Sequence, residues 1–131
     1  MKKDLDSIIL TRQELQIMKV VWDKGSATVK DVCDAISKKK ATAYTTILTL
    51  MGILEEKGVL VHARSGRAYI YKPLLTRQQA TRNQVRDVLV RFFDDSPEKM
   101  IENVLENEVR APEQVEAVRT LLEGKQENRV A

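Results

Sequence analysis

The sequence predicts a mostly α fold with a small β-hairpin, in which an N-terminal winged helix-turn-helix precedes a three-helix C-terminal dimerisation region. Three observations predict it. Apolar residues recur at spacings of three and four from Leu15 to Leu54. The period then falls to two across Val59–Arg64 and Arg67–Lys72, on either side of Ser65-Gly66. From Thr76 the pattern is helical again and free of glycine until Gly124. The expected domains are residues 1–75, binding DNA, and residues 76–131, pairing two chains.

Met1 to Ser7 reads as a short charged tail. The first helix starts at a capping box, in which the Thr11 hydroxyl accepts from the Glu14 N–H and the Glu14 carboxylate accepts from the Thr11 N–H. Its apolar face is Leu15, Met18, Val21 and Trp22, and Gly25 marks its end. Ser26-Ala27 is an extended link. Thr28 and Asp31 box the second helix, where Val29, Val32, Cys33 and Ile36 share a face. Cys33 is there as a small buried hydrophobe. Lys38, Lys39 and Lys40 follow, and either the helix dipole or a phosphate accounts for them.

The third predicted helix, residues 41–57, is the centre of the chain. Ile47, Leu50, Met51 and Leu54 form its apolar stripe, and Gly58 supplies the stop. Thr42, Thr45 and Thr49 project away from that stripe, with Thr46 beside them. A solvent face that is short, polar and nearly uncharged suits close approach to a partner. Tyr44 lies nearer the apolar side, and both packing and a phosphate contact suit it. A helix-turn-helix followed by a hairpin is a winged helix. Its tip carries Arg64 and Arg67, which suit phosphate or a minor groove. The expected DNA-binding set is therefore Lys40, Thr42, Tyr44, Thr45, Thr46, Thr49, Arg64 and Arg67, with double-stranded DNA as partner.

The fourth helix, from Thr76 to Phe93, carries Val85, Val88, Leu89, Phe92 and Phe93 on one stripe. Ser96 caps a fifth, with Pro97 at its first position and Met100, Ile101, Val104 and Leu105 inward. A sixth starts near Pro112 and carries Val115, Val118, Leu121 and Leu122 up to Gly124. The tail Lys125–Ala131 is expected to fray. These helices are too few to cover one another's stripes, so a homodimer is expected. Two-fold symmetry then presents two recognition helices to a palindromic operator.

Composition bounds the alternatives. Hydrophobic residues make up 43% and charged residues 31% of 131, which suits a soluble protein with a core. Residues 1–75 hold 13 Lys+Arg against 8 Asp+Glu (+5), and the remainder 9 against 11 (−2). No apolar run suffices to span a bilayer and no signal peptide precedes Thr11, so no membrane insertion and a cytoplasmic location are expected. A single cysteine excludes an internal disulfide and a thiolate cluster, and no cofactor or metal is expected. The only histidine, His62, falls in a hairpin strand, with no Ser/His/Asp or Cys/His set and no phosphate loop, which argues against an enzyme. The alternative function is a winged-helix protein-interaction module without sequence-specific DNA binding.

The chain resembles the penicillinase-repressor family of winged-helix regulators, the BlaI/MecI/CopY group, from Leu10 to about Glu123. The motifs are Leu10-Thr11-x-x-Glu14-x-x-x-Met18-Lys19-x-x-Trp22, Ala43-Tyr44-Thr45-Thr46-Ile47-x-Thr49, Leu54-Glu55-Glu56-Lys57-Gly58 and Gly66-Arg67-Ala68-Tyr69-x-Tyr71-x-Pro73-Leu74. Phe92-Phe93-x-x-Ser96 matches the family's link between C-terminal helices. The resemblance implies a dimeric repressor whose recognition helix is Thr42–Glu56 and whose wing is Arg64–Arg67. Relatives often carry arginine where this chain has Ile53, which removes one positive contact. In antibiotic-responsive members, a membrane sensor-protease pathway leads to cleavage at an Asn-Phe bond, and the matching positions are Asn103 and Val104. Copper-responsive members end in a cysteine cluster that this chain lacks.

Overall fold

The computed structural model describes the backbone of residues 4–130 and the side chains of residues 4–128. Residues 1–3 of the expected N-terminal tail and Ala131 of the expected C-terminal tail therefore lie outside the described residues. The described part of the N-terminal tail is not loose. Asp4 caps a short 3-10 turn, Leu5–Ser7, and Leu5 and Ile8 pack against the core.

Three helices follow: α1 (Arg12–Lys24), α2 (Val29–Ser37) and α3 (Tyr44–Glu56). Both capping boxes form, Thr11 with Glu14 and Thr28 with Asp31. Each satisfies two backbone donors that the first helical turn leaves unpaired. Strands β1 (Leu60–Ser65) and β2 (Ala68–Pro73) pair antiparallel, with Leu60 opposite Pro73 and Ser65 opposite Ala68. The extended link before α2 joins this sheet as a single bridge, Ala27 to Tyr71, with N–H···O distances of 3.0 and 2.8 Å. Ile17, Met18 and Val21 of α1, Val32 of α2, and Met51 and Leu54 of α3 are fully enclosed, and Val59, Leu60 and Leu75 close the core.

The turn of the hairpin lies one residue later than the sequence expectation. Ser65 belongs to β1, and the two-residue turn is Gly66-Arg67. Gly66 takes φ +63° at the first turn position, where a primed turn needs a residue free to adopt positive φ. The third helix also starts later than expected. Tyr44 is its first residue and Ala43 its N-cap, so Thr42 precedes it.

The long helices α4 (Arg77–Phe93), α5 (Pro97–Asn107) and α6 (Pro112–Val130) complete the chain. Backbone contacts divide it into one compact unit ending at Arg86 and a second beginning at Asp87. The first turns of α4 thus belong with the winged helix, for a physical reason. The Asn83 side-chain amide is buried and donates to the carbonyls of Leu5 (2.7 Å) and Ile8 (3.0 Å). The Trp22 indole N–H donates to the Leu75 carbonyl at 2.9 Å, and the Arg77 guanidinium lies over its ring. In the second unit no described side chain is buried.

The end of α6 corrects a further expectation. The helix runs through Gly124 to Val130 and does not stop there. Gly25 and Gly58 do end helices, both at φ +84°. After Gly58 the Val59 N–H reaches the Leu54 carbonyl at 2.9 Å, and both side chains are buried, which completes a Schellman stop. After Gly124 come Lys125 and Gln126, and neither supplies the apolar contact that such a stop uses.

Candidate nucleic-acid interface

The helix α3 is fixed at both ends. At its C-terminal end the Lys57 ammonium donates to the Glu14 carboxylate at 2.8 Å, joining it to the start of α1. Burial pushes the Glu14 carboxyl up, but the Lys57 ammonium and the Thr11 N–H and hydroxyl outweigh it and hold the pKa below its ordinary 4.5. In the last turn the Glu55 carboxylate contacts His62 Nδ1 in β1, and the His62 ring lies edge-on to Tyr69 at 4.7 Å between centroids. These contacts set the angle between α3 and the hairpin. Glu14 and Lys57 are 43 residues apart, and Glu55 and His62, though seven apart, lie on a helix and a strand, so no single-element periodicity signals either contact.

At its N-terminal end, the loop from α2 is tied down around Thr42. The Thr42 hydroxyl donates to the Lys40 carbonyl (2.9 Å), and its own carbonyl accepts from Ser37 (3.4 Å) and the Cys33 thiol (3.5 Å). Thr42 therefore shapes the turn into α3 and is not on the helix. Cys33 is half-buried against the core, as a small hydrophobe would be.

Between these anchors α3 turns one face to solvent. Thr45, Thr46 and Thr49 are exposed, and Tyr44 is 51% exposed. Leu48, Gly52 and Ile53 share that face, although the sequence pattern singled out neither Leu48 nor Gly52 as part of a site. Cations flank it. Lys38, Lys39 and Lys40 are exposed on the approach to α3, and Arg64 and Arg67 are exposed at the hairpin tip, where the Arg64 Nε–H donates to the Gly66 carbonyl at 3.1 Å. An uncharged ridge between cationic margins matches a groove floor between phosphate rails. An open groove behind the ridge, between α1 and the turn into α3, is lined by Arg12, Lys19, Asp23, Lys39, Lys40 and Thr46.

The other expected residues fall in the second unit, Val85 excepted. Phe92, Ile101, Val104, Leu105, Leu121 and Leu122 are exposed, and Val88, Leu89, Phe93 and Val118 are half-exposed. Val85, in the last turn before the division, is 46% exposed. Asn103 and Val104 lie mid-α5, both exposed. No group of His, Cys, Asp and Glu among the described residues is disposed to hold a metal. Among them, too, no helix is long and apolar enough to cross a membrane.

Comparison with known proteins bears on this arrangement. The sequence profile of the family described as penicillinase repressor matches residues 10–124. The penicillinase repressor of Bacillus licheniformis is 30% identical over 110 residues, covering 84% of this chain and 86% of its own length. The solution structure of the DNA binding domain of the repressor BlaI superposes with a TM-score of 0.51 at 31% identity, over 60% of this chain and 93% of that one. A MarR family protein from Bacillus stearothermophilus superposes with a TM-score of 0.50 at 16% identity, over 97% of this chain and 80% of that one, a likeness of fold.

Proposed function

This chain belongs to the penicillinase-repressor family, and from that premise we propose that it is a transcriptional repressor that binds a two-fold symmetric DNA operator as a homodimer. The observation that carries the reading is the exposed, uncharged face of α3 between two sets of exposed cations. α3 enters the major groove. Thr45, Thr46 and Thr49 meet base edges, where a hydroxyl donates or accepts and a methyl packs on thymine. Tyr44, Lys40, Arg64 and Arg67 hold the backbone, and Thr42 keeps the entry to α3 in shape. The DNA-binding part is residues 1–75, braced by the first turns of α4, and residues 76–131 pair the chains.

Pairing is supported by the state of the C-terminal helices. α5 and α6 bury no described side chain, yet helices in proteins draw most of their stability from packing an apolar face. Phe92 at 69% and Leu121 at 72% exposure are the faces a second copy would cover. Release follows from cleavage at Asn103–Val104, through a membrane sensor-protease pathway, or from another signal. Asn103 is exposed, and Val104 is exposed in the single chain. A protease takes extended backbone, so cleavage there requires α5 to open locally and the partner copy to uncover Val104.

Electrophoretic mobility shift of the full chain on the promoter of its own operon tests the reading. A salt-sensitive, sequence-specific complex is expected. A chain that retards no duplex would instead be a winged-helix protein-interaction module.

A further inference from the structure

We propose that Leu48, Gly52 and Ile53 form a methyl-reading facet on α3, and that thymine is the base it selects, through the C5-methyl group. The inference deepens the DNA-binding reading above and rests on it. From Tyr44 to Glu56, α3 contains no Arg, Lys, Asn, Gln or His. The bidentate pairings that identify guanine and adenine are therefore unavailable from this helix. What it does expose is hydrocarbon. Leu48 is 45% and Ile53 37% exposed, and Thr45 and Thr49 are exposed on the same side of the helix. In the major groove, the matching base feature is the thymine methyl. Glu56, exposed at the last turn, suits the cytosine amino group at one end of the facet.

Gly52 is the second observation. It lies mid-helix on the exposed face, and a Cβ built there meets nothing within 4 Å. Packing within the chain therefore does not require glycine, whereas helix propensity disfavours it there. Its φ is ordinary as well, since the positive-φ glycines are Gly25, Gly58 and Gly66. A glycine at this point lets the helix backbone approach a partner's surface more closely than any side chain would. Leu48 and Ile53 stand on either side of that gap. From Thr45 to Ile53 the helix rises about 12 Å, enough to span about three to four base-pair steps.

The test starts from the duplex that the full-length chain enriches from a random pool. Thymines are replaced by deoxyuridine, which pairs identically but lacks the methyl. We expect affinity to fall about fourfold for each thymine the facet touches, the transfer free energy of one methyl expressed as a ratio. Leu48→Ala should lose the thymine–deoxyuridine discrimination at its own base and keep it elsewhere. Gly52→Ala should raise the melting temperature while weakening the selected duplex more than tenfold, which separates loss of approach from loss of fold. Equal affinity for the thymine and deoxyuridine duplexes, or unchanged binding by Gly52→Ala, would overturn the facet. Failure to enrich any sequence would overturn the DNA-binding reading itself.

Discussion

The Lys57 ammonium lies 2.8 Å from the Glu14 carboxylate, so the last residue of the α3 cap is bonded to the first turn of α1. Glu14 is buried while the Lys57 side chain is 39% exposed, so the pair is partly screened. We expect Lys57→Met to cost about 1–2 kcal/mol, less than breaking a fully buried pair. Denaturant unfolding followed by Trp22 fluorescence measures it. The pair also sets an acid limb. The folded Glu14 carboxyl titrates below its ordinary 4.5, so its contribution is complete above that pH and is lost as pH falls through the folded pKa. Lys57→Met should flatten that limb below about pH 4.5. An unchanged acid limb would contradict the role given to the pair.

Asn83 should matter more than its place near the end of the first unit suggests. Its amide holds the carbonyls of Leu5 and Ile8, and Asn83→Ala leaves both without it. A loss of about 2 kcal/mol is expected, with faster hydrogen exchange in the N-terminal turn. Unaltered stability would mean that the turn docks through its apolar side chains alone.

At the wing, Arg67 is the second turn residue and its charge faces solvent. Arg67→Ala should weaken binding to every duplex by a similar factor and reduce the salt slope by about one. Thr45→Ala should instead change the preference among duplexes. A sequence-selective effect from Arg67→Ala would assign it to base reading.

Pairing should depend on the exposed C-terminal side chains. Phe92→Glu together with Leu121→Glu puts a charge on each of two exposed apolar positions, at 69% and 72% exposure. Sedimentation at micromolar concentration should show the parent as a dimer and this variant as a monomer. The variant should retain its thermal transition for the winged helix and bind a half-operator as the parent does. A parent that sediments as a monomer would remove the two-fold element of the account.

What the sequence made legible was mostly local. The boxes at Thr11/Glu14 and Thr28/Asp31 involve residues three apart, and both formed as written. The apolar stripe of α3 was likewise legible, because a 3.6-residue period leaves Ile47, Met51 and Leu54 on one side. Gly124 misled because a glycine is a stop only when the following residues complete the cap, as Val59 does for Gly58. The hairpin turn was displaced by one residue because Ser65 fits both a strand end and a turn, and pairing with Ala68 decides between them. The exposure of Leu48 was hidden by its apolarity. Only the packed core shows that no partner within the chain covers it. Glu55–His62 and Glu14–Lys57 were invisible for a related reason, since their geometry exists only once α3 has docked.

The central claim is that α3 reads a symmetric DNA sequence, and one measurement tests it most directly. Duplexes enriched by the full chain from random DNA are titrated by fluorescence anisotropy at about 0.15 M salt, beside a scrambled duplex of equal length. The account predicts a two-fold symmetric winner bound at least about a thousandfold more tightly than the scrambled duplex. Equal affinity for the two, with no symmetry in the enriched pool, would contradict it.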